Sequence, residues 1–212
     1  DIMYQSAFRI GRASQSITNC VLVCSGAISM HRRSVIVDHI DEFLKDKVLG
    51  INCEAGDDRC LTNISLKYGG KTKYQSTALC ITDVPINTRN FFKQQVRWAK
   101  SFYLYTFESM RYAWKRPFML AWLLGEGFMW IFFTVSQAIS LVHWSENYYM
   151  TLLLFSIGYM ILSAFINGIY YALKNPLLYL LAPFFALVHL FLLFPIRIWA
   201  LVTLNNSGWG TR

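Results

Sequence analysis

The sequence lacks the patterns that would place it in several common classes of protein. Its five cysteines, at positions 20, 24, 53, 60 and 80, form no C-x-x-C pair and have no histidine at zinc-finger spacing. Neither a zinc site nor a disulfide framework is therefore supported. We expect this part of the chain to lie in a reducing, cytosolic environment.

Charged residues are scarce in the second half. Of the 20 Lys and Arg residues, 17 precede residue 117, as do 10 of the 12 acidic ones, so residues 1–117 carry a net charge of +7. Because 55% of the chain is hydrophobic and 17% aromatic, it is too apolar for an ordinary soluble domain. The composition predicts a basic cytosolic part followed by a membrane part. It disfavours nucleic acid as a partner, since no basic stripe with interleaved aromatics lies off the membrane-facing helix.

The order of predicted elements in residues 1–87 is typical of an open α/β sheet. The patterns predict helices over 2–16 and 34–47 and from Asp57 to the glycines at 69–70, with strands over 21–23, 27–30 and 71–81. Asp1 falls within a predicted helix and no signal peptide precedes it, so we expect a C-terminal piece of a longer protein.

Residues 88–117 predict amphipathic helices along the membrane surface. Residues 118–204 predict a transmembrane region, in which 118–142 and 149–173 are each long enough to cross the bilayer. The third apolar run, 177–204, should be a broken, partly interfacial segment bent at Pro183 or Pro195. Residues 205–212 would form a cytosolic tail.

Two polar motifs precede the apolar runs. Asp57 and Asp58 follow Gly56 at a predicted helix start, where acids often serve only to complement the helix dipole. A carboxylate held there could also act as a general base towards an acceptor hydroxyl. Further on, Gln94, Arg97, Trp98 and Ser101 share one helical face. Indole faces suit sugar rings, and guanidinium groups suit phosphates.

Four segments together resemble the motifs of hyaluronan synthases, which are membrane-embedded family-2 glycosyltransferases, and among these the chlorella-virus type. These segments are Cys24-Ser25-Gly26, Gly56 to Asn63, Gln94 to Ser101, and the closing Ser207 to Arg212. The resemblance covers nearly the whole chain. It implies part of a GT-A-like α/β glycosyltransferase domain, followed by interface helices and an α-helical transmembrane region.

The resemblance also implies the activity. The protein would add N-acetylglucosamine and glucuronic acid from UDP-GlcNAc and UDP-GlcA by processive, inverting transfer, and would pass the growing polysaccharide through the lipid bilayer. The catalytic part would face the cytosol at the plasma membrane. Two alternatives remain open: a chitin or chitin-oligosaccharide synthase, which shares both motifs, and a non-catalytic polysaccharide export scaffold. The sequence does not indicate an oligomeric state.

The resemblance assigns roles residue by residue. Asp58 is the catalytic base, supported by Asp57 and Arg59. The acceptor is bound by Trp98, Gln94, Cys24, Ser25 and Gly26, and the donor diphosphate by Arg97, Trp209 and Arg212. Related enzymes bind Mg²⁺ or Mn²⁺ through an Asp-x-Asp element, which this sequence lacks. We therefore expect no metal ligands in this chain and place them in a missing N-terminal portion.

Overall fold

The computed structural model describes residues 7–45, 47–53, 56–83, 85–143 and 147–205, and most of them are helical. In chain order the helices are a π-helical turn (Ala7–Arg12), α1 (Ala13–Ile17), α2 (Arg33–Val37), α3 (Ile40–Leu44), α4 (Asp57–Lys67), α5 (Thr88–Ala113), α6 (Pro117–Val142), α7 (Asn147–Lys174), α8 (Pro176–Leu180), α9 (Ala182–Val188), a second π-helical turn (His189–Leu193) and α10 (Phe194–Val202). Strands β1 (Lys47–Val48) and β2 (Ile51–Asn52) form a short antiparallel hairpin.

The open α/β sheet predicted for residues 1–87 is not formed by the described part of the chain. The strands predicted over 21–23, 27–30 and 71–81 are wrong, and a single parallel bridge between Cys20 and Thr72 is the pairing found near them. Strand preference depends on packing against neighbouring strands. Residues 75–83 are all exposed and have no such neighbour among the described residues.

The predicted ends of helices agree with the structure better than the predicted strands do. α4 begins at Asp57 and ends before Gly69, whose φ of +89° terminates it. The side chain of Asn87 accepts a hydrogen bond from the backbone N of Arg89 at 2.8 Å and so caps α5. Helix predictions for 2–16 and 34–47 are confirmed in part, since helix covers 7–17 and the second splits into α2 and α3.

α4 packs on one face of α5, and this packing holds the two motifs together. Ile64 and Cys60 meet Leu104 and Tyr105 in one buried cluster. A second cluster joins Leu66 to the end of α5 and the start of α6; its buried members are Cys20, Leu66, Tyr112, Ala113, Met119 and Leu123. Burying each such large side chain contributes about 1.5–3 kcal/mol.

Three helical stretches in the described ranges are long and apolar enough to cross a membrane. They are Pro117–Ser140 with 24 residues, Tyr149–Ile166 with 18, and Ala182–Val202 with 21. The predicted interruption of 177–204 is confirmed in part: residue 181 is a turn, but residues 182–202 continue through the second π-helical turn as one helical stretch of membrane-spanning length. Both irregularities lie next to the predicted prolines, because Pro183 comes two residues after the turn at residue 181 and Pro195 two residues after the π-helical turn.

Candidate active site

The acidic pair lies in the first turn of α4. Asp57 is exposed and Asp58 is half-buried. Oδ1 of Asp58 accepts a hydrogen bond from the backbone N of Arg59 at 2.9 Å. The same N–H also donates to the backbone O of Gly56 at 2.8 Å, so one carboxylate oxygen shares a helix N–H, as acids at this position commonly do. Its other oxygen has no hydrogen-bond partner among the described residues and is available to a ligand.

The two sequence motifs meet at Gly56, which precedes the acidic pair. Gly56 has a φ of +118°, a conformation that residues with a Cβ rarely adopt. A Cβ added here would overlap Oγ of Ser101 and lie 2.9 Å from Cε2 of Tyr105, both on α5. No side chain larger than hydrogen fits this contact. The absence of a side chain therefore lets the acidic motif lie directly against the helix that carries the second motif.

The Cys24-Ser25-Gly26 segment lies on the other side of Asp58. The backbone N of Cys24 donates to Oγ1 of Thr62 at 2.9 Å, and that hydroxyl donates to the backbone O of Asp58 at 2.6 Å. A Cβ placed on Gly26 would lie 3.6 Å from Cβ of Asp58. Ser25, between them, is half-buried. This segment therefore forms a wall of the site around Asp58.

The second motif presents polar atoms that have no protein partner. Oε1 of Gln94 and Oγ of Ser101 are buried and make no hydrogen bond within the described ranges. Buried polar atoms without partners are rare in folded proteins. Trp98, on the same face, is 37% exposed, and Arg97 is half-buried. The exposed indole is suited to a sugar ring, whereas the two oxygens are themselves buried and that of Ser101 lies against Gly56.

Positive charge surrounds Asp58. Burial lowers the pKa of the Arg59 guanidinium to about 10, although the neighbouring Asp58 carboxylate opposes this shift. That guanidinium also lies 5.4 Å from the ring centroid of Phe102. Burial likewise lowers the pKa of Arg12, which is within electrostatic reach of Asp58 and Cys24. Nη1 of Arg12 is buried without a partner in the part of the chain that the structure describes. The sequence analysis missed Arg12.

A buried asparagine that the sequence analysis also missed fixes α4 to α5. Nδ2 of Asn63 donates to the backbone O of Tyr105 at 3.1 Å, and Oδ1 accepts from Oγ of Ser109 at 2.7 Å and from the hydroxyl of Tyr112 at 2.9 Å. The signal was present: an amide side chain stands among the apolar positions of α4. Such satisfied polar networks hold a unique packing arrangement.

Two predicted site residues, Trp209 and Arg212, lie outside the described residues. The predicted metal was tested against the carboxylates that are present. Across the described ranges, no three His, Cys, Asp or Glu side chains come together to hold a metal ion. Asp58 has arginines near it instead. The described residues therefore do not fit a Mg²⁺ or Mn²⁺ site.

Comparison with known proteins relates the whole chain to one group. It is 36% identical over 212 residues to a hyaluronan synthase of Streptococcus pyogenes serotype M1, covering all of this chain and 50% of that protein. It is 30% identical over 211 residues to hyaluronan synthase 2 of Xenopus laevis and 28% identical to hyaluronan synthase 2 of Homo sapiens, covering 99% of this chain and 38% of each relative. No protein-family model matches. The chain thus spans about half the length of the streptococcal relative and about two fifths of the length of the other two. The predicted resemblance to hyaluronan synthases is confirmed, and nothing in these comparisons supports the chlorella-virus type in particular.

Proposed function

Because the chain is a homologue of hyaluronan synthases, we propose that it carries the acceptor-binding and membrane-spanning parts of a glycosyltransferase that makes hyaluronan. Transfer would be processive and inverting, with UDP-GlcNAc and UDP-GlcA as donors, and the polysaccharide would leave through the membrane-spanning helices. The observation that carries this proposal is the contact at Gly56, which brings the turn that carries Asp58 against Ser101 on the motif face of α5.

In this proposal Asp58 is the general base. Its unpaired oxygen would take the proton of the acceptor hydroxyl as that hydroxyl attacks the anomeric carbon of the donor. Trp98 would stack on the acceptor sugar, and Gln94 would accept a hydrogen bond from one of its hydroxyls. Arg97 would contact the leaving diphosphate through its paired donors.

Supporting groups complete the proposed site. Asp57 and Arg59 flank the base, and the Cys24 to Gly26 segment would line the acceptor pocket. We propose that the tail residues Trp209 and Arg212 reach the diphosphate. Mg²⁺ or Mn²⁺ would neutralise that diphosphate when bound, and the described carboxylates provide no site for it.

We further propose that residues 1–87 are part of a GT-A-like domain on the cytosolic side of the plasma membrane. Residues 88–117 would lie at the interface and 118–204 would form the membrane region. The net charge of +7 on residues 1–117 supports the cytosolic placement. The parallel bridge between Cys20 and Thr72 supports the domain type, because α/β sheets pair their strands in parallel.

Replacement of Asp58 by Asn in the complete protein tests the proposal. The variant keeps the size of the side chain but removes the base, so we expect polymer synthesis to fall by roughly 10²–10⁴-fold while UDP binding persists. Asp83→Asn makes the same chemical change on an exposed residue outside the site and serves as the control. Near-normal synthesis by Asp58→Asn would refute the assignment.

Product analysis separates the alternatives. With both UDP-sugars, we expect wild-type protein to make a polymer that hyaluronidase degrades. A chitin-type product from UDP-GlcNAc alone, unchanged by UDP-GlcA, would favour the chitin synthase alternative. No transfer with either donor, together with no effect of Asp58→Asn on polysaccharide export in cells, would favour the export scaffold.

A further inference from the structure

A buried glutamine joins the segment beside the active site to the first membrane helix. Gln15, on α1, is 8% exposed. Its Nε2 donates to Oε1 of Glu126 on α6 at 3.0 Å, and its Oε1 accepts from the backbone N of Leu22 at 3.1 Å. The amide therefore uses both of its polar atoms: the nitrogen bonds to the membrane-length helix, and the oxygen bonds to the segment that leads to Cys24.

A second hydrogen bond fixes the same two helices. Nε1 of Trp122 donates to Oγ1 of Thr18 at 3.1 Å. Trp122 and Glu126 are four residues apart on α6, so they lie on one helical face. Gln15, Thr18, Trp122 and Glu126 form what we call the polar junction. Two contacts one helical turn apart set both the position and the rotation of α6 relative to α1.

Further hydrogen bonds connect the polar junction to the first turn of α4, which carries Asp58. Leu22, held by Gln15, is two residues before Cys24. The backbone N of Cys24 donates to Thr62, which in turn donates to the backbone O of Asp58. Glu126, in a membrane-length helix, is thus connected to Asp58 through four hydrogen bonds and the short backbone segment from Leu22 to Cys24.

A glutamate at position 126 destabilises this apolar helix, so its presence suggests a function. A carboxylate inside an apolar segment costs several kcal/mol when unpaired. Here Gln15 donates to it, and the positive charges of Arg59, Arg12 and Arg197 are within electrostatic reach. A bond that only held helices together could use apolar side chains at lower cost. The connection of this bond to Asp58 points to a role in positioning.

We propose that Gln15 is a positioning residue, which fixes Asp58 relative to the first membrane helix through Leu22, Cys24 and Thr62. This inference rests on the proposed function, because it needs Asp58 to be the base. Gln15 touches no reacting atom. It transmits any movement of α6 to the segment behind Asp58, so the site and the membrane helix move together.

An exchange of acid and amide tests this role in the complete protein. In Gln15→Glu two carboxyl groups face each other, and the amide N–H that donates to Glu126 is lost. In the double variant Gln15→Glu/Glu126→Gln, the new amide donates to the new carboxylate, whose second oxygen still accepts from Leu22. The net charge of the pair is then that of wild type. Ser34→Glu adds the same charge as Gln15→Glu on an exposed residue and is the matched control.

Turnover at saturating UDP-sugars, donor KM and the thermal midpoint are measured for each protein. We expect Gln15→Glu to lower turnover by roughly 10–100-fold with little change in donor KM, because the base is displaced and the donor site is not. The double variant should recover to within about threefold of wild type. Ser34→Glu should match wild type in all three measurements.

Three outcomes would overturn the inference. They are wild-type turnover in Gln15→Glu, a double variant that recovers the thermal midpoint but not turnover, and a rise in donor KM that accounts for the whole loss. Failure of the proposed function looks different, since the wild-type protein itself would then make no polymer from the UDP-sugars.

Discussion

Gly56 is the residue at which the packing of this protein can be tested most directly. Replacing it with Ala introduces two separate costs. The first is backbone strain at a φ of +118°, about 1–3 kcal/mol. The second is overlap with α5, because the new Cβ would lie 2.9 Å from Cε2 of Tyr105. Overpacking of this kind typically costs about 1–3 kcal/mol.

Gly50 provides a control that separates these two costs. It also has a positive φ, +79°, but a Cβ added there would meet nothing within 4 Å. Gly50→Ala therefore carries the backbone strain without the overlap. The thermal midpoint of Gly56→Ala should fall roughly 2–12 °C further than that of Gly50→Ala, from about 1–3 kcal/mol of overlap at ~2–4 °C per kcal/mol.

The overlap also predicts an effect on turnover. Ordinary carbon contacts are about 3.4–4 Å, so relief of the contact with Tyr105 moves the start of α4 away from α5 by about 0.5–1 Å. Displacements of this size at a catalytic group can cost ~10²-fold in rate. Gly50→Ala should retain turnover near that of wild type. Equal midpoints and equal turnover in the two variants would refute the close contact between α4 and α5.

Other changes test the surroundings of the site. Asn63→Ala should lower the free energy of unfolding by roughly 2–4 kcal/mol, because the hydroxyl of Ser109 loses its acceptor and the backbone O of Tyr105 loses its donor, while Tyr112 keeps the backbone O of Asn63. Thermal unfolding would measure this loss, and an unchanged midpoint would contradict it. Burial raises the pKa of the Cys24 thiol, so maleimide labelling of a single-cysteine variant should be slow at neutral pH and accelerate as the pH rises through that raised pKa. A variant that keeps only the exposed Cys80 is the comparison, and faster labelling at Cys24 than at Cys80 near pH 7 would contradict the burial.

Helices were predictable from the sequence where a local signal marks their ends. The acids at Asp57 and the proline at Pro117 begin helices, and Gly69 follows the end of one. The motif face of α5 followed from its 3.6-residue period alone. The strands failed because a strand depends on partners elsewhere in the chain. The strand propensity of residues 71–81 does not indicate whether a partner strand exists elsewhere in the chain.

The residues of the candidate site also differ in whether a local sequence signal marks them. Asp58, Gln94 and Trp98 could be proposed as site residues because short motifs contain them. Gln15 was not, since its partner Glu126 is 111 residues away. No local spacing indicates a hydrogen bond between residues so far apart in sequence, and the polar character of a single position gives only a weak hint.

The unpaired oxygens of Gln94 and Ser101 have a consequence for how long a product stays bound. Each buried acceptor left without a partner costs about 1–3 kcal/mol. In the proposed function, a sugar hydroxyl that reached them would remove this cost, so the sugar-bound form of the protein would be stabilised. Release of the chain end would then restore the penalty and be slowed. We expect the residence time of the chain end, and with it the length reached before dissociation, to depend on these two oxygens.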